Sequence, residues 1–164
     1  MLSELSLIAR LAIALHCFER YCRKHNLESP EITELSSYLW DFPVIENPDE
    51  FNKWELNQPE LVDIGLGDKF PKEFAGKLKS KGISQNEFRK LLESVVEIIF
   101  WSFYGATDND NSLKRLKTVI SIVNSHGIEA PPALLFVNSR FVDKHGWGNV
   151  LSLTERDKWR NLNW

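Results

Sequence analysis

Two stretches of this 164-residue chain carry the residue types that chemistry needs. The first, Asn138 to Asn149, sets Arg140, Asp143 and His145 among Phe141, Trp147, Gly146 and Gly148. An imidazole titrates near neutrality, a carboxylate beside it can orient the ring, and a guanidinium can hold an anionic group. These are the parts of a small general-base site with His145 as the titrating group, Asp143 as its orienter and Arg140 for an anionic substrate. The same residues also suit a structural turn, with the glycines permitting it, Trp147 plugging the fold and Arg140 paired with Asp143. Glu19 is a further carboxylate of interest, because on a helical wheel it falls in the apolar sector between Ile8 and Leu15. Its neighbour at i+4 is Arg23, so it reads either as half of a structural ion pair or as a functional carboxylate.

The second stretch is a charge pattern. From Glu28 to Asp68 there are eleven acids and one base, Lys53, a local net of −10, whereas Lys69 to Lys90 holds seven bases and two acids, a local net of +5. The total of −3 conceals this division. Either the lysine-rich segment folds back to neutralise solvated acidic helices, or the acids form a recognition surface. Exposed ion pairs contribute only ~0 to 1 kcal/mol each, so folding alone does not call for the pattern. On the second reading Asp41, Glu46, Asp49, Glu50 and Glu55 attract a basic protein, and Trp54, with Trp40 and Phe51 nearby, supplies the apolar grip that slows its release. A small protein that blocks a nucleic-acid-binding partner by covering its positive cleft fits this description. Immunity proteins of bacterial toxin systems are of that general kind by charge and size.

Other chemistries find no pattern. His16, His25, His126 and His145 are too dispersed for metal-ligand spacing, and no HExxH, CxxC or EF-hand sequence occurs, so neither metal nor cofactor is expected. There is no P-loop, GxGxxG or GxSxG motif, and no Glu is followed three residues later by His as a di-iron bundle would require. Direct binding of nucleic acid is not expected either, since the basic segment adjoins a larger acidic one that repels phosphates. Cys17 and Cys22 lie five apart on one helix, about 140° around its axis, and cannot pair with each other. Two free thiols, Glu4 and Arg10 where a signal peptide would be basic or apolar, and a longest apolar helix well short of the ~20 residues of a membrane span all suit a soluble cytoplasmic protein.

The elements that must position these residues read as helices. A long central helix is predicted over Ser84 to Tyr104, opened by a capping box of Ser84 with Glu87 and stopped by Gly105. Asn86, Lys90, Glu93 and Glu97 form its polar stripe, which Trp101 and Tyr104 continue as aromatics, so that end is either roofed by the loop after Pro132 or open to a partner. Ahead of it lie a first helix over Ser3 to His25 with a single buried face, a second from Pro30 to Phe42, a third from Pro48 to Leu56, a turn at Pro59 to Asp63, and a lysine-rich helix from Pro71 to Gly82. Behind it come a helix from Ser112 to His126, an apolar run over Ala133 to Val137 that suits a helical turn or a strand, and a terminal helix begun by Thr154 with Asp157. No repeat or linker divides the chain. At 43% hydrophobic residues, one domain over 1–164 can bury roughly 70% of its unfolded surface.

The expectation is an all-α bundle of six to seven helices around a buried central helix, with an irregular segment after Pro132. Three functions follow as expectations: a protein-interaction domain for a basic partner, acting as an inhibitor or immunity-type protein; a small enzyme with its site at 138–149; or a structural subunit whose Trp101 end lies in a homo-oligomer interface.

Overall fold

A computed structural model describes residues 1–164. The chain is all-α, with α1 (Leu7–Lys24), α2 (Pro30–Asp41), α3 (Pro48–Leu56), α4 (Glu60–Gly65), α5 (Lys72–Ser80), α6 (Gln85–Phe100), α7 (Asn109–Ser125) and α8 (Leu153–Arg160). Short 3-10 turns occupy Leu2–Glu4, Phe42–Val44, Ala133–Phe136 and Asp143–Gly146. No strand forms; a single antiparallel bridge joins Leu5 to Arg140. Helices α1, α6 and α7 pack against one another, α4 closes over α6, and α2 lies against α1 and α4. No helix is long and apolar enough to cross a membrane.

Local chemistry sets the helix starts. Asn47 accepts from Glu50 N at 2.9 Å to open α3, Ser84 from Glu87 N at 3.2 Å to open α6, and Asp108 from Asn111 N at 2.8 Å to open α7, each satisfying an amide that has no partner within the helix. Proline stands at the start of α2 and α3, where a missing N–H costs nothing. The last helix begins two residues before the predicted Thr154, because Ser152 and Glu155 complete a reciprocal capping box that Thr154 and Asp157 do not. At α6 only half the predicted box forms, since the Glu87 carboxylate turns away from Ser84 toward α1 and α7. The run after Pro132 resolves as a 3-10 turn.

The most enclosed helix is α1. Every residue from Leu7 to Phe18 is buried, including Arg10 and His16, so the single buried face expected of it is a cylinder wrapped on all sides. The polar pair is accommodated by hydrogen bonds to backbone carbonyls and, for Arg10, to two side chains as well. Arg10 donates to Leu2 O, Ser3 O, Asn109 O and Oδ1 and Ser112 Oγ, tying the N-terminal turn to the start of α7. Burial lowers its pKa to about 10. His16 Nε2 lies 2.7 Å from Trp159 O and seats α8 on α1.

Helix α6 buries Phe88, Leu91, Leu92, Val95, Val96, Ile98 and Ile99. Gly65 permits α4 to approach it, because a Cβ there would lie 2.9 Å from Val96 Cγ2. The helix ends at Phe100, four residues earlier than predicted. Its last turn tightens through Ser102 N to Ile99 O at 3.1 Å, which brings Phe103 back onto Phe100 with ring centroids 4.7 Å apart. Trp101 and Tyr104 remain 57% and 86% exposed, so the open alternative holds at this end. Glu97 is turned inward and paired with Arg115 of α7. Burial raises its pKa against the opposing pull of that guanidinium. Cys17 and Cys22 are both free and buried.

Candidate binding cleft and the predicted site residues

The 138–149 loop is seated on the N-terminus of α1. Ser6 N donates to Ser139 O at 2.9 Å and Phe141 N to Glu4 O at 2.7 Å, while the hydroxyls of Ser6 and Ser139 meet at 2.6 Å. Ile8 N donates to Trp147 O at 3.3 Å, so the loop supplies a carbonyl to one of the free amides in the first turn of α1. Gly148 makes the approach possible: its φ is +86°, and a Cβ would lie 2.6 Å from Ser6 Oγ and 2.7 Å from Ser139 Oγ.

The structure does not assemble a general-base site from Arg140, Asp143 and His145. Asp143 Oδ2 accepts from the backbone N of Arg140 at 3.1 Å, in place of the predicted side-chain ion pair. The His145 ring is exposed and makes no hydrogen bond; only its carbonyl is used, accepting from Thr107 Oγ1. Lys144 and His145 hold left-handed backbone, with φ of +47° and +56°, a conformation uncommon in residues other than glycine. Glu19 likewise departs from the expected ion pair. Its carboxylate accepts from Trp40 Nε1 at 2.9 Å and from Ser36 Oγ, and no ion pair with Arg23 forms. It is the bolt between α1 and α2, placed in the apolar sector because two buried donors need an acceptor there.

The acidic residues have a different setting. Of the eleven acids between 28 and 68, two find cationic partners: Glu31, 3.0 Å from Lys77 of α5, and Asp41, 2.8 Å from Arg156 of α8. Neutralisation by the lysine helix is thus confined to one pair. Glu46, Asp49 and Glu50 are exposed, Glu55 is half-buried, and none of the four forms an ion pair. Trp54 and Trp40 are buried. Trp54 stacks on Tyr38 with centroids 4.3 Å apart and donates from Nε1 to Tyr38 O at 2.8 Å, so its ring holds α3 on α2 and reaches the surface only where it lines a groove.

Two grooves flank these acids and share the wall formed by Ile45 and Glu46. One, of about 550 Å³, runs between Tyr38, Asp41, Glu50, Lys53, Leu151 and Leu153. The other, of about 560 Å³, is floored by Phe42, Phe51, Phe103 and Trp147, with Pro48 and Val150 at its edge. Phe103 stacks on Trp147 at 5.7 Å and meets Phe51 edge-on at 5.2 Å, while Phe42 packs 5.6 Å from Trp147. These rings come from four separate segments. Burial raises the pKa of Tyr38, which borders the first groove, and its hydroxyl has no hydrogen-bond partner in the protein.

A cluster that the sequence does not announce lies where α1, α6 and α7 meet. Glu87 accepts from Tyr21 OH at 2.9 Å and from His126 Nε2 at 2.9 Å, and the rings of His25 and His126 lie 4.8 Å apart. Burial alone would raise the Glu87 carboxyl; the hydrogen bonds from His126 and Tyr21 overcome it and hold it below the ordinary value. Only the i, i+4 spacing of Tyr21 and His25 hinted at this junction. No set of three or more His, Cys, Asp or Glu side chains is placed to hold a metal ion.

No protein-family model, curated protein or solved structure matches the chain. What can be said of its function rests on its own geometry: an all-α chain with an aromatic-floored groove bordered by Glu46, an acid without a cationic partner.

Proposed function

We propose that this protein binds a basic protein partner through the acidic face at the start of α3 and the turn before it, and that it acts as an inhibitor of the immunity type by covering a positive cleft. The observation that carries this reading is that Glu46, Asp49, Glu50 and Glu55 are left without cationic partners beside an apolar groove. Glu50 also accepts from Glu46 N at 2.8 Å, but none of the four is neutralised by a cation, and such carboxylates steer a cationic partner toward the face while the adjacent apolar surface supplies the grip that charge alone lacks. Asp41 and Trp54 line the groove beside this face, one tied to Arg156 and the other to Tyr38.

The test compares the wild type with the combined variant Glu46→Gln, Asp49→Asn, Glu50→Gln, Glu55→Gln for binding to purified cationic proteins and for the basic proteins it retains from its native cells. Four exposed pairs at ~0.5 kcal/mol each amount to about 2 kcal/mol, a factor of ~30 in affinity. The expected result is a loss of that size, steepest at low salt. Equal binding by both proteins, or association of the chain only with itself, would overturn the reading.

A further inference from the structure

Charge explains the rim of the aromatic groove but not its floor. We infer that the groove over Phe42, Phe51, Phe103 and Trp147 is the anchor site of the same interface. Its occupant is an extended basic segment of the partner, which places one bulky apolar side chain on these rings while its flanking Lys or Arg side chains meet Glu46 and Glu50. This rests on the reading of the acidic face given above and specifies what that face holds.

Three observations converge on such a segment. The first is the floor itself. All four rings are partly exposed although each is packed against another, and Val150 beside them is 45% exposed. A concavity of about 560 Å³ falls within the ~300–1,000 Å³ of sites that enclose small ligands. It has room for one large side chain and the backbone that carries it.

The second is the backbone of the rim. Gly148 N is bonded to Asp143 O at 3.0 Å and Leu151 N to Pro43 O at 2.9 Å, while no N–H or C=O of the two residues between them, Asn149 and Val150, bonds within the protein. Both are exposed and held at either end. A fixed stretch of unpaired main chain beside an apolar hollow is what an extended peptide pairs with, its main chain bonding to the rim and its alternate side chains entering pockets.

The third is the charge. Glu46 borders both grooves, and Glu50, whose carboxylate accepts from Glu46 N at 2.8 Å, borders the neighbouring one, so the two carboxylates lie together on the side of the aromatic floor that Glu46 forms. A segment with Lys or Arg beside a Leu, Phe or Trp complements that arrangement. The cationic part of this chain itself does not: its lysines at 72–80 lie on α5, a formed helix, and so offer no extended segment to a second copy.

The experiment uses the whole chain and a short fluorescein-labelled peptide, Lys-Arg-Lys-Trp-Lys-Arg-Lys, with the same peptide carrying Ala for Trp as its partner probe. Anisotropy should give the Trp peptide an affinity about tenfold or more above the Ala peptide. Val150→Pro, which removes a rim N–H, and Phe51→Ala, which opens the floor, should abolish that preference and leave the weaker, salt-sensitive binding of both peptides. In the wild-type protein, amide shifts on adding the Trp peptide should centre on Asn149, Val150 and the Trp147 indole, a measurement that stands even where a variant fails to fold. Equal affinity for the two peptides, or shifts that centre elsewhere, would overturn the anchor site while leaving the acidic face standing. Absence of binding by either peptide and by every cationic protein would overturn both. Self-association that the peptide does not displace would show the groove to be occupied by a second copy and would also overturn the inference.

Discussion

Gly148→Ala is the perturbation that most directly examines how the 138–149 loop is held. Gly148 has a φ of +86°, and an added Cβ would lie 2.6 Å from Ser6 Oγ, 2.7 Å from Ser139 Oγ and 2.7 Å from Ser6 Cβ. Left-handed backbone costs a non-glycine residue ~1–2 kcal/mol. Overpacking against a fixed backbone adds ~1–3 kcal/mol, and displacing the buried Ser6–Ser139 hydrogen bond about 1 kcal/mol more. The sum is about 4 kcal/mol, a large part of the ~5–15 kcal/mol by which domains are stable. For a chain of this length each kcal/mol lowers the melting temperature by ~2–4 °C, so a fall of about 10 °C is expected by circular dichroism. Gly82→Ala is the internal reference, because Gly82 also has positive φ, +67°, yet nothing lies within 4 Å of its added Cβ; it should cost only the backbone share, ~1–2 kcal/mol. Adding Ser139→Ala to Gly148→Ala should cost less than the sum of the two, since it vacates part of the contested space. If Gly148→Ala melted no lower than Gly82→Ala, the loop would not be seated on the first turn of α1.

Further outcomes follow from the other polar sites. Glu19→Leu should cost about 2–3 kcal/mol in urea unfolding, because it leaves Trp40 Nε1 and Ser36 Oγ buried without an acceptor; Glu19→Gln, which keeps an acceptor oxygen, should cost clearly less, and equal losses would refute the assignment. Glu87 is held below its ordinary value in the folded state. Its contribution is therefore complete above the unfolded carboxylate value of ~4.3 and is lost as pH falls through the lower folded value. The stability gap between wild type and Glu87→Gln should shrink on acidification, and a gap that widened would contradict the cluster. Burial pushes the Cys17 thiol up to about 12 and the Cys22 thiol higher still. Neither should react with a disulfide reagent at neutral pH until the protein is unfolded, and fast labelling of the native protein would show α1 to be less enclosed than described.

What could be read along the chain was what neighbours in sequence decide. Asn47, Ser84, Gly82 and Gly127 mark helix ends because capping and left-handed backbone involve residues a few positions apart, and those boundaries hold to within a residue or two. The terminal helix start was missed by two residues because Ser152 and Thr154 offer competing caps, and the better reciprocal pair prevails. The stop of α6 was missed by four because an aromatic contact, Phe100 with Phe103, turns the chain before Gly105 is reached.

The candidate site was legible only in part. The acids at 46–55 were visible as a charge run, and Phe51 as an aromatic among them; Phe42, Phe103 and Trp147 share the floor with it from distances of up to about a hundred residues, which no local pattern encodes. Trp54 illustrates the converse, since its position among acids says exposure while its stacking on Tyr38 requires burial.

The sequence by itself determined an all-α chain, its helix starts and the separation of acidic from basic segments, because capping, periodicity and charge are properties of short stretches. Tertiary structure alone decided that α1 is buried on every side from Leu7 to Phe18, that Glu19 bonds Trp40 and not Arg23, that the His145 ring makes no hydrogen bond to Asp143, and that four aromatic rings meet beside Glu46. Those outcomes depend on which distant surfaces exclude water from one another. That exclusion is settled only when the whole chain packs.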